Sequence, residues 1–137
     1  DVSSSQHHGH VQAVRMAMRR LHFEDLIATR HTRERDLVVA MVAARILQPE
    51  SKLATTRWWG ATTLADDLHV EDATEDDLYQ AMDWLVKRQG RIEKKLAARH
   101  LKEGGLVLYD LSSSYFEGEA CPLAARGHNR DGKKGKR

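Results

Sequence analysis

The chain has 137 residues, 41% of them hydrophobic and 31% charged, with 22 Lys or Arg against 20 Asp or Glu and a formal net charge of +2. That length suits one ordinary domain, or one domain and part of another, and the near-neutral total says little about partners, so the distribution of charge matters more. The single cysteine, Cys121, excludes an intrachain disulfide and fits a reducing cytosol, and no apolar run approaches the roughly 18 residues that a membrane span needs.

Residues Asp1 to Gly9, "DVSSSQHHG", read as a loose polar lead-in. From about His10 to Ala28, Val11, Val14, Met18, Leu21 and Leu26 recur at three- and four-residue steps and predict a helix. A second helix is expected from Arg33 to Leu47. Its broad face of Leu37, Val38, Met41, Val42 and Ile46 makes it central, and Gln48-Pro49 ends it. A short helix should open near Pro49 and close at Gly60. Adjacent Trp58 and Trp59 then point about 100° apart, so at least one is core. Another short helix is expected from Thr62 to Leu68.

Thr74-Glu75-Asp76-Asp77 has the form of a capping box, with Asp77 in the place of the usual Glu or Gln. Leu78, Met82, Leu85, Gln89, Ile92 and Leu96 then step by 4, 3, 4, 3, 4, an amphipathic seam with a kink expected at Gly90. Gly104-Gly105 ends the helix. After it "LVLYDL" reads as a strand apolar on both faces. The expected fold is therefore mainly α: a helical N-terminal region over residues 1–103, then the first strand of an incomplete α/β domain over 104–137. A lone strand is not a finished sheet, and the first residue is not Met, so a fragment of a longer protein is expected.

Charge is unevenly placed. From Asp66 to Asp77 there are seven acids and no Lys or Arg, whereas Lys87 to Lys102 holds seven bases and one acid, Glu93. Helix-end electrostatics account for Glu75 to Asp77 and for Arg99 to Lys102, but that effect fades within a turn. Lys87, Arg88, Arg91, Lys94 and Lys95 are left as either a solvated basic face or a phosphate-contacting one. The glycine-rich tail from His128 carries five more bases, among them Arg130, Lys133 and Lys134, and suits either solubilisation or a backbone-tracking loop.

Among candidate chemistries, Asp110 stands out as a carboxylate in an apolar strand, which is costly without a partner. It either turns back on the amides near Ser112 as an Asx-type turn or serves as one ligand of a divalent ion. Ser112, Ser113 and Ser114 lack the flanking glycines of a nucleophile elbow. His7, His8 and His10 lack a rigid frame for a metal, and Cys121 has no neighbour that would activate it.

The stretch "LVLYDLSSSYFEG…CPLAARGHNRDGKKGKR" resembles the start of the catalytic domain of bacterial insertion-sequence transposases of the DDE type, where "lyDlTs-yfe" precedes "G-ysrDgr-gk". "RILQPESKLATTRWW", "LYQAMDWL" and "RIEKKLAARHL" resemble the helical N-terminal part of one branch of these enzymes. Ser112 stands where many relatives have Thr, and His128 where Tyr is common. The resemblance implies an RNase H-like fold, and cutting and joining of DNA at insertion-sequence ends with two Mg²⁺ (or Mn²⁺) ions held by two Asp and one Glu. Asp110 matches the first Asp, as catalytic residue and metal ligand. The second Asp and the Glu have no matching positions, so residues 1–137 alone are expected to bind no metal and to be inactive. DNA partners, a possible homodimer of the full-length protein and a bacterial cytoplasmic, nucleoid-associated location are implied in the same way. The alternatives are a non-catalytic helical DNA-binding module that uses the Lys87–Lys102 stripe, and a helical interaction module that uses the Leu78–Leu96 seam.

Overall fold

The computed structural model describes residues 5–106, together with Leu108 and Pro122. It divides into two compact units, Asp1–Lys102 and Glu103–Arg137. The described residues of the first form seven helices: α1 (Gly9–Arg20), α2 (Phe23–Ile27), α3 (Arg33–Leu47), α4 (Lys52–Trp59), α5 (Leu64–Leu68), α6 (Glu75–Val86) and α7 (Gln89–His100). The protein is mainly helical, as its periodicity predicts.

Helix α3 is the centre, with α1, α2, α5 and α6 packed on it. Leu37, Val38, Val39, Ala40, Ala43 and Ala44 are all buried, and the three alanines let neighbouring helices approach closely. Its start is set by Thr32, whose hydroxyl accepts the Arg35 amide at 3.3 Å. Ser51 starts α4 in the same way, accepting the Ala54 amide at 3.2 Å. Of the two adjacent tryptophans, Trp59 is the core residue, 2% exposed, while Trp58 is half-buried at its edge.

The lead-in is not loose at its described end. The His7 amide donates to Ala61 O at 3.0 Å, the Thr63 amide donates to His7 O at 3.2 Å, and His8 Nδ1 lies 2.9 Å from Thr63 Oγ1. These bonds dock the segment on the turn after α4, where backbone groups would otherwise lack partners.

The helix expected from His10 to Ala28 breaks at His22, which takes the left-handed conformation with φ 51°. The break has a visible return. Nine residues of continuous helix would set Arg15 and Glu24 about 13 Å apart along the axis. The turn brings Glu24 Oε1 to 2.8 Å from Arg15 Nη1, whose side chain is almost fully buried.

At α6 the capping box forms in full. The Asp77 amide donates to Thr74 Oγ1 at 3.3 Å, while the Thr74 amide and hydroxyl both donate to Asp77 Oδ2 at 2.8 Å. The Thr74 backbone amide first, and then its hydroxyl, hold the Asp77 carboxyl below the usual carboxylate range. A depressed folded-state pKa stabilises the fold above the unfolded value and is lost as pH falls through the folded one. Thr74→Ala is therefore expected to cost about 1 kcal/mol at pH 7. Its deficit against the parent should narrow as pH drops below about 4, read from urea midpoints across that range.

In the second unit, Gly104 turns the chain with φ 76°, a conformation glycine adopts without strain. Leu106 and Leu108, the two described members of the expected strand, are 88% and 87% exposed, and no strand pairs with them among the described residues. The rest of that expected strand lies outside the described residues.

Candidate nucleic-acid interface

The long helix expected through the basic stretch is two helices, and the break falls at Lys87–Arg88 rather than at Gly90. The cause is Arg88. Its guanidinium stacks 3.6 Å from the centre of the Trp84 ring, and Nη1 donates to Trp84 O at 3.0 Å. In a continuous helix that carbonyl would accept the Arg88 amide. The amide instead donates to Leu85 O at 2.8 Å, tightening the last turn, and α7 starts afresh. Gly90 sits in the first turn of α7, with open space around the place a Cβ would occupy.

The basic residues of this region then divide by their contacts. Lys95 and Arg99, one turn apart on α7, reach back to α1 and α2. Lys95 Nζ donates to Asp25 O at 2.7 Å, and Arg99 Nη1 donates to Leu21 O at 2.8 Å. These two cations satisfy carbonyls at and between the ends of α1 and α2, where helices leave acceptors unpaired and favour positive charge. Lys87, Arg91 and Lys94 form the other group. All three are exposed, with no ion-pair partner among the described residues. Of the five stripe residues, three thus face solvent without an ion-pair partner among the described residues, Arg88 folds back on Trp84, and Lys95 ties α7 to α2.

The fold also brings up residues that the periodicity did not single out. The α2–α3 turn places Arg30, His31 and Thr32 beside Trp84, Arg88 and Arg91, around an open polar pocket of about 330 Å³. "TRHTR" carries the composition for this, but nothing in it gives the distant partner. Across the helical unit, the distal half of the seam lies on an apolar groove of about 360 Å³, where Leu85, Ile92 and Leu96 face Phe23, Leu26 and Val42.

Asp110, Arg130, Lys133 and Lys134 lie outside the described residues, as do Ser112, Ser113, Ser114 and Cys121. Among the described residues, no group of three or more His, Cys, Asp or Glu side chains is placed to hold a metal ion, His7, His8 and His10 included. No described helix is long and apolar enough to cross a membrane. No family profile, curated protein sequence or solved structure aligns significantly with the chain.

Proposed function

We propose that this chain is the helical N-terminal part of a DDE transposase joined to the opening of its RNase H-like domain, and that the helical unit holds DNA by its backbone. In this reading Asp110 is one of the three acids that hold two Mg²⁺ ions at the scissile phosphate. The supporting observation is the set Lys87, Arg91 and Lys94, three cations at and after the α6–α7 junction that are exposed and have no ion-pair partner among the described residues. Neutralising phosphates in this way gives affinity without sequence preference.

The test is a titration of duplex DNA against residues 1–137 at several salt concentrations. Each phosphate contact adds a slope of about −0.9 to log K against log salt. Lys87→Ala/Lys94→Ala should therefore flatten the slope by about 2 and leave the thermal midpoint unchanged. Absence of binding at low salt would reject the DNA reading. A second reading, a helical protein-interaction module, is supported by the apolar groove beside α7 and by Val86 at its rim, 66% exposed.

A further inference from the structure

We infer that the pocket between the α2–α3 turn and the α6–α7 junction is a phosphate-binding site. Three arginines, Arg30, Arg88 and Arg91, line it, and no carboxylate is among the residues that do. Like charges gathered around one open cavity repel each other unless an anion joins them.

The neighbouring acids are already committed. The Asp36 carboxylate is buried and accepts His31 Nε2 at 2.7 Å, with Arg35 at 3.6 Å. Glu34 is held below the usual carboxylate range chiefly by its own backbone amide and the Thr32 hydroxyl, with the Arg88 charge a smaller contribution. Arg30 and Arg91 therefore keep uncompensated charge at the pocket, and both are exposed. Arg88 is fixed in place by its stack on Trp84 and by the bond from Nη1 to Trp84 O. A preorganised guanidinium loses little entropy on binding, and guanidinium forks match phosphate oxygens two at a time.

Two further features favour an anion. The pocket is lined by Arg88, the N-cap residue of α7, and by Arg91 in its first turn, at the positive end of that helix. Helix α7 also begins without a side-chain cap, so its first amides have no such acceptor.

The phosphate is either a free ion or a phosphodiester of the DNA backbone, and the second source rests on the DNA reading above. Two arms separate them. Inorganic phosphate is titrated at constant ionic strength and read by Trp84-region NMR shifts and by the thermal midpoint. Arg30→Gln/Arg91→Gln should weaken that binding about tenfold or more, since each charge-assisted bond is lost outright. Arg30→Lys, which keeps charge but not the fork, should fall between. Both positions are exposed, so the fold is not at risk. No response to phosphate in the parent protein, or an equal response in Arg30→Gln/Arg91→Gln, overturns the site.

In the second arm, duplex DNA is titrated with Arg30→Gln alone, which leaves Lys87, Arg91 and Lys94 intact. Weaker DNA binding identifies the phosphodiester as occupant. Unchanged DNA binding, with phosphate binding still lost, assigns the pocket to a free phosphate and leaves the DNA face standing. Phosphate binding without any DNA binding keeps the pocket and rejects the DNA reading.

Discussion

Glu24→Ala is expected to destabilise the helical unit by about 3 kcal/mol, whereas Arg15→Met should change its stability by less than about 1 kcal/mol. The asymmetry comes from burial. The Arg15 side chain is 4% exposed and that of Glu24 is 28% exposed, so removing the acid strands a cation with little access to water. The two groups meet at ion-pair distance, yet Arg15 Nε and Nη1 make no well-aligned hydrogen bond. The pair therefore rests on charge more than on directed bonding, and a methionine can fill the arginine stem's place without that need. For a unit of this size each kcal/mol moves the thermal midpoint by roughly 4–8 °C, so Glu24→Ala should lose about 12 °C or more. The double variant should return close to Arg15→Met alone, because the stranded charge is gone. Equal losses in the two single variants would mean that packing, not charge, sets the cost, and that the turn at His22 exists for some other reason.

Helices whose ends are written locally are legible in the sequence. α3 has a threonine cap before it and Gln48-Pro49 after it, and α6 has its capping box. Both helix breaks that the periodicity passes over depend on partners remote from the local pattern or on side-chain geometry. Leu21 and His22 carry no breaking residue type, and their turn is coupled to the Arg15–Glu24 contact. Gly90 is the weakest helix former near the second break, yet the chain bends where Arg88 takes the Trp84 carbonyl. The basic stripe shows the same limit. Lys94 and Lys95 are equivalent as letters, but only Lys95 faces the Asp25 carbonyl, and a contact 70 residues away is not written in spacing. Arg30 and His31 give no signal in the sequence, because a five-residue turn of polar residues carries no period at all.

Leu78→Ala is expected to cost about 3–4 kcal/mol, and Met82→Ala, one step along the same seam, about 1 kcal/mol or less. As sequence the two positions are equals in a regular pattern. In the fold Leu78 is 0% exposed and Met82 is 39% exposed. Leu78 stands one turn into α6, where that helix packs on α3, and its removal leaves a cavity that the capped first turn cannot readily collapse to fill. Met82 already meets water, and a flexible thioether at a surface gives up little on truncation. The seam therefore divides: its start secures α6 to the core, while Ile92 and Leu96 border the groove beside α7. Chemical denaturation of the two variants separates these roles. Matching losses at 78 and 82 would mean that Met82 is covered in solution by something outside this helical unit, and the protein-interaction reading would then extend to the outer face of α6.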